Sequence, residues 1–326
     1  MHPFEYVEPQ SVDEAIALLS DNPEDARPIA GGTDLLSEMK DGTVTPRLLV
    51  SLGGIPSLSG ISETADGLTI GATTTIAEVA THPAIKSGHT ALAEAASGLA
   101  TPQIRNVGTL GGNLCQRPRC WYYRHPMTLC LKKGGDRCYA LVGNSKYLCV
   151  IGGERCYIVH PSDTAVALAA LDASIEIAGP MGLRTLPIEQ FFIGPGQDVT
   201  RENILSPGEL ATRVYLPKPA PGLRSLYLKA REREAGDFAL ASVAVGITIQ
   251  GDAVQRASVV LGGVAPVPYR ARQVEDYLQG KAISEVDSAF AGNIALSGAT
   301  PMSDNGYKVV LASNLVKRAI IRLLGS

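Results

Sequence analysis

The sequence contains no G-x-G-x-x-G after a strand-like run and no G-x-x-x-x-G-K-S/T, so neither a Rossmann dinucleotide fold nor a P-loop phosphate site is expected. No apolar run approaches the roughly 20 residues that span a bilayer, which argues against membrane insertion. The opening Met1-His-Pro-Phe-Glu-Tyr6 lacks the basic and apolar regions of a secretion signal. A soluble protein is expected, either cytoplasmic or periplasmic by export with a signal-bearing partner. Basic charge is not in excess: 29 Lys and Arg against 32 Asp and Glu leave −3, which argues against nucleic acid as a partner. The five histidines, His2, His82, His89, His125 and His160, form no Ser/His/Asp arrangement. No catalytic residue is assigned.

What the chain has is length, glycine and cysteine. Its 326 residues suffice for two or three domains with cores of their own, and 34 glycines suit tight turns and backbone that approaches a ligand closely. Ser11–Glu14 and Thr75–Glu78 read as capping boxes, and a βαβ unit is expected over about residues 1–55. A second α/β unit follows over about 56–217, with Ser162 capping a helix to Leu171 and strands near 174–177 and 209–216. Lys218-Pro-Ala-Pro-Gly222 reads as a linker. Beyond it, Val243, Val245, Ile247 and Ile249 alternate as a half-buried strand. With helices at 270–279, 285–297 and 308–324, residues 218–326 read as a separate domain, a short antiparallel sheet plus a helical cluster. The fold class is α+β.

Two glycine turns carry the first chemistry. Ala30-Gly31-Gly32-Thr33-Asp34-Leu35 and Asn106-Val-Gly108-Thr109-Leu-Gly111-Gly112-Asn113 are each expected to sit after a short strand. Glycine backbone N–H groups can close on an anion, aided by a helix N-terminus. The second signal is the cysteines. All six, Cys115, Cys120, Cys130, Cys138, Cys149 and Cys156, fall in one stretch of a long chain, which points to metal ligation rather than disulfide staples.

These segments together resemble the FAD-binding subunit of the xanthine dehydrogenase and carbon monoxide dehydrogenase family. Ala30–Asp34 and Gln103–Asn113 carry the resemblance, extended by His160-Pro-Ser-Asp163, by Tyr227-Leu-Lys229-x-Arg231-x-Arg233-x3-Asp237, and by Leu261-Gly-Gly-Val-Ala-Pro266. The resemblance runs in order from about residue 3 to 324. It implies a PCMH-type FAD-binding domain of two α/β subdomains. Residues 30–34 and 106–113 would cradle the FAD pyrophosphate, Asp163 would serve the ribose or adenine end, and Lys229 would sit at the flavin N1/C2=O edge. It also implies two partners, a molybdopterin-binding large subunit and a small subunit with [2Fe-2S] clusters, and an external electron acceptor.

The cysteine stretch, an insertion over about 114–160, departs from the commonest members. It resembles that of a subgroup with a [4Fe-4S] cluster, found in 4-hydroxybenzoyl-CoA reductase and certain bacterial aldehyde dehydrogenases. The positions matching that subgroup's ligands are Cys120, Cys130, Cys138 and Cys156, leaving Cys115 and Cys149 over. Zinc on four of the six thiolates is the alternative, although zinc sites favour tighter C-x2–4-C pairs. Arg117, Arg119, Arg124, Lys132, Lys133 and Arg137 would raise a cluster's potential, meet a partner, or form a solvated basic face. The rivals are a β subunit of a 4-hydroxybenzoyl-CoA reductase-type enzyme, a self-contained flavin oxidase and a zinc-stapled assembly protein. Oxidation of aldehydes is the favoured chemistry for the complex.

Overall fold

Twelve strands build three separate sheets among residues 1–325, the part that a computed structural model of the chain describes. The first is small and parallel. β1 (Glu5–Val7) and β2 (Ala26–Ile29) flank β3 (Leu48–Ser51), and the helix Val12–Asp21 buries Ala15, Ile16 and Leu19 against them. Ser11 caps this helix by accepting from the Glu14 N–H, but the Glu14 carboxylate reaches back to the Gln10 N–H, so the expected capping box closes one residue early. At Thr75 the box closes fully.

The second sheet is antiparallel, in the order β4 (Ile61–Thr64), β5 (Gly67–Gly71), β8 (Leu210–Pro217), β6 (Ser174–Gly179) and β7 (Gly182–Pro187). The third is also antiparallel and joins β9 (Leu223–Ala230), β10 (Ala241–Gln250), β11 (Ala253–Gly262) and the short β12 (Tyr269–Arg270). On β10, Val243, Val245 and Ile247 face the helices Arg272–Leu278, Ser288–Ala295 and Tyr307–Leu324, while Ala244 faces the middle of the chain.

What lies on that inner face is the helix Asp163–Ala170, in which every residue is buried. Its run Ala-Val-Ala-Leu-Ala-Ala is small because the sheet comes very close. A Cβ on Gly262 would sit 2.6 Å from Val166 Cγ2. Ser162 caps the helix, accepting from the Ala165 N–H at 3.0 Å. The helix N-terminus thereby reaches the junction of the second and third sheets with its position fixed. The segment 115–160 contains no strand among the described residues and is built from short helical turns such as Trp121–Arg124 and Leu131–Lys133.

Leu168, fully buried in this shared core, is expected to cost about 2–5 kcal/mol on truncation to alanine. Urea unfolding should show a lowered midpoint with an unchanged slope.

Candidate functional site

The two glycine turns touch. Gly32 takes φ +67°, a left-handed conformation that glycine adopts without cost, and a Cβ on Gly31 would lie 2.1 Å from the Val107 carbonyl oxygen. The second turn is itself pinned, because the Leu110 and Gly111 N–H groups donate to Thr74 and Ala72 carbonyls at 2.9 and 2.8 Å. Thr109 caps the short helix Leu110–Leu114 by accepting from the Gly112 N–H at 3.2 Å. Among the described residues, the N–H groups of Gly31, Gly32, Thr33 and Asp34 meet no protein acceptor. Four successive free donors around a left-handed glycine form a concave, anion-seeking stretch of backbone.

The second turn is tied to the buried helix. Asn113 Oδ1 accepts from Ser162 Oγ and from Thr164 Oγ1, both at 2.6 Å. Next to this knot the Asp163 carboxylate accepts from the Tyr227 hydroxyl and from Lys229 Nζ, each at 2.6 Å, with all three side chains buried. Burial and the adjacent carboxylate push the Tyr227 hydroxyl well above the ordinary tyrosine range. Tyr227 and Lys229 sit on β9, a strand that alternation within the Leu223–Ala230 run did not make plain. The resemblance placed Asp163 and Lys229 at opposite ends of a dinucleotide. Here the two side chains form an ion pair and line the same chamber.

Three chambers run side by side. One of about 470 Å³ is lined by residues 30–35. It shares Thr33, Asp34, Thr109, Gly112 and Gln116 with a second, of about 220 Å³, that Asn113, Asp163 and Lys229 also line. A third, of about 370 Å³, shares Arg119, Pro161, Asp163, Asp237 and Phe238 with the second. Gly108 lines the second chamber, whereas Asn106 is exposed at the end of the helix Pro102–Arg105 and lines none of them.

Charge reads differently in the fold than in the sequence. Asp34 lines two chambers, but its carboxylate is taken up by donors of the insertion. It accepts from the Arg117 N–H at 2.6 Å and pairs with Arg124 and Arg119 at 2.7 and 3.0 Å. Arg117 also reaches Glu202 at 2.8 Å, and the buried Lys132 pairs with the same Glu202 carboxylate. Tyr123 donates to the buried Glu38 at 2.7 Å. Arg117, Arg119, Arg124 and Lys132 therefore turn inward and fasten the insertion, so the solvated basic face does not form from them. Sequence reasoning missed these pairings because the acidic partners stand far away in the chain. A fourth fastening comes from the other side. Asp304 accepts from the Ser145 N–H at 3.0 Å, and Asn305 Nδ2 donates to the Leu148 and Cys149 carbonyls at 3.2 and 3.0 Å. Tyr307 donates to the Lys146 carbonyl at 2.9 Å, and the fully buried Lys308 donates to Tyr147 and Gly263 carbonyls at 3.0 and 2.8 Å. Burial pushes the Lys308 ammonium down to about 7.

Inside the fastened insertion, Cys120, Cys130, Cys138 and Cys156 line a single narrow cavity of about 10 Å³ together with Tyr123, Lys132 and Ile158. Cys115 lies instead on the wall of the first chamber, and Cys149 is buried away from the cavity near Gly153. Hydrogen bonding from the Cys156 thiol lowers Cys138 to about 6 and raises Cys156, while burial pushes Cys120 up to about 11. No three His, Cys, Asp or Glu side chains among the described residues converge as a single-ion site. His160, at the floor of the third chamber, is buried against Phe192 with ring centroids 4.7 Å apart, and burial depresses its ring to about 3.

Comparison with known proteins agrees with this geometry. Residues 2–219 match the FAD-binding domain of molybdopterin dehydrogenases, and residues 226–323 match the C-terminal domain of CO dehydrogenase flavoproteins. The chain belongs to the FAD-binding flavoprotein family of the molybdopterin dehydrogenases. Within that family it is an FAD-binding oxidoreductase subunit, of mixed helix and sheet as the sequence implied. It is similar to the aldehyde oxidoreductase FAD-binding subunit PaoB of Escherichia coli, 39% identical over 291 residues covering 88% of each chain. It is also similar to the carbon monoxide dehydrogenase medium chain of Hydrogenophaga pseudoflava, 32% identical over 97% of this chain and 96% of that one. The solved Cu,Mo-CO dehydrogenase in its cyanide-inactivated form superposes with a TM-score of 0.79 at 29% identity, over 100% of this chain and 99% of that chain. No helix of the described residues is long and apolar enough to cross a membrane.

Two outcomes follow from these contacts. Gly31→Ala forces the turns apart at Val107 and should cut bound FAD to a small fraction of wild type, read by the flavin-to-protein absorbance ratio. His160 binds its proton in the unfolded chain near the ordinary 6.5 but in the fold only near 3. Unfolded molecules therefore hold the extra proton across that window, and stability should fall as pH drops from about 6.5 toward about 3. In His160→Phe, urea midpoints measured against pH should fall less steeply over the same range.

Proposed function

We propose that the chain is the FAD- and [4Fe-4S]-carrying electron-transfer subunit of a heterotrimeric molybdenum hydroxylase that oxidises aldehydes. A molybdopterin-binding large subunit would meet the organic substrate. A small subunit would supply electrons through [2Fe-2S] clusters, and an external acceptor would remove them. The observation that carries the reading is that four separated cysteines line one cavity, which shares Tyr123 with the glycine-lined first chamber. Similarity to the aldehyde oxidoreductase subunit supports the choice of substrate class. On this reading the chain divides into a FAD-binding domain over 1–217, with the cluster insertion at about 114–160, and a C-terminal domain over 218–326.

The residues present suit both groups. The free N–H groups of Gly31, Gly32, Thr33 and Asp34 would hold the pyrophosphate in the first chamber, where a helix N-terminus at Leu35 adds its dipole. Ala30 and Leu35 would form its walls and Thr109, Gly112 and Asn113 its far side. Bound flavin supplies a carrier that takes up electrons singly or in pairs. Lys229, held by Asp163, would place positive charge beside it and favour the reduced, negatively charged form. Tyr227 fixes the same carboxylate, so the cation cannot swing away. For iron, the donor set is four thiols, with Tyr123, Lys132 and Ile158 excluding water. A cubane spreads its ligands over four corners and needs no convergence of three on one point. The nearby Lys132 ammonium would favour added negative charge.

Anaerobic purification with partners should give flavin bands and a broad iron–sulfur shoulder. Cys130→Ser should lose iron while keeping flavin. Zinc in place of iron, with no visible iron–sulfur absorption, would overturn the cluster.

A further inference from the structure

Of the lysines and arginines in the insertion, Arg119 alone lines the second chamber among the described residues. It shares that chamber with Lys229, which marks the flavin's edge in the proposed function. Its guanidinium is held at three points. Nη1 pairs with the Asp34 carboxylate at 3.0 Å, Nη2 donates to Gln116 Oε1 at 3.3 Å, and the group lies 4.8 Å over the Phe238 ring. Asp34, Gln116 and Phe238 line the same chamber. A planar cation fixed in this way keeps its charge at every working pH.

The charges on the chamber wall are uneven. Asp163 pairs with Lys229 and Asp237 with Arg233, one cation to each carboxylate and each at 2.6 Å. Asp34 has two, because Arg124 pairs at 2.7 Å with the same carboxylate oxygen that Arg119 meets. Arg124 lines none of the three chambers, so Arg119 is the member of this pair that meets the cleft. One carboxylate shared by two guanidinium groups leaves positive charge in excess there. Flavin gains negative charge on reduction, and a cation in a water-poor cleft stabilises that form more than the neutral oxidised one.

We propose that Arg119 is a second cation of the flavin site, supplied by the cysteine insertion, and that it strengthens the hold on reduced FAD. This rests on the chain carrying FAD as read above. Lys229 comes from β9, whereas Arg119 stands directly before Cys120 in the insertion. The segment that carries the thiols thereby also sets how readily the flavin keeps its electrons.

The test uses the full-length, FAD-loaded chain and the midpoint potential of its bound flavin, read by absorbance against a reference dye. Arg119→Met keeps the stem and removes the charge. It should lower the potential by the equivalent of about tenfold weaker binding of reduced relative to oxidised FAD. Arg119→Lys, which keeps the charge, should stay within about threefold of wild type on the same scale. Arg124→Met removes a cation from the same carboxylate but outside the chamber, and should shift the potential less than Arg119→Met. An unchanged potential in Arg119→Met, even with a lowered melting temperature, makes Arg119 a clamp on the insertion only and overturns the proposal. Equal shifts in Arg119→Met and Arg124→Met also overturn it. If Arg119→Met takes up no FAD, Arg119→Lys decides the matter, and a fall of about tenfold there overturns the proposal. Wild-type chain that takes up no FAD at all would sink the underlying reading instead.

Discussion

The site rests on one close approach. At Gly31 the first glycine turn meets the Val107 carbonyl at a distance that excludes even a methyl group, and at Gly111 the second turn meets Ala72 in the same way. Neither contact adds much attraction. What they do is exclude: a side chain at Gly31 drives the two turns apart, one at Gly111 lifts the second turn off Ala72, and the unpaired N–H groups of residues 31–34 would no longer face a common space. The missing side chains at these two residues fix the geometry of the whole cleft.

The cysteine insertion shows how a segment without strands is held. It has little regular structure, so its position depends on side chains that reach outward. Asp34, Glu38 and Glu202 anchor one flank, and residues 304–308 anchor the other. Buried ion pairs such as Lys132 with Glu202 are costly to desolvate, and they specify one arrangement more than they add stability. Since the same Asp34 also ends the first glycine turn, the insertion and the cleft share an anchor. Rearranging one moves the other.

Much of the fold could be read from periodicity and capping. The Thr75 box, the strand through Val243 and Val245, and the long helix near the C-terminus all announce themselves locally. β9 did not, because Leu223-Arg-Ser-Leu-Tyr-Leu-Lys-Ala lacks strict alternation, and its partners on β10 lie beyond a loop. The glycine turns were legible as turns. Their contact with each other was not, since it joins residues far apart in sequence. The arginines of the insertion were least legible: a run of basic residues looks solvated until its carboxylate partners are placed in space.

The fastening of residues 145–149 by residues 304–308 has a consequence in time. Those contacts join points about 160 positions apart, so they close only after the helix Tyr307–Leu324 has been synthesised and docked. Until then the insertion is held on one flank only, by Asp34, Glu38 and Glu202. Afterwards both flanks are fixed, with Cys130 and Cys156 buried and Cys120 and Cys138 half-buried. The order of synthesis therefore makes the closing of this second flank one of the last steps in shaping the insertion.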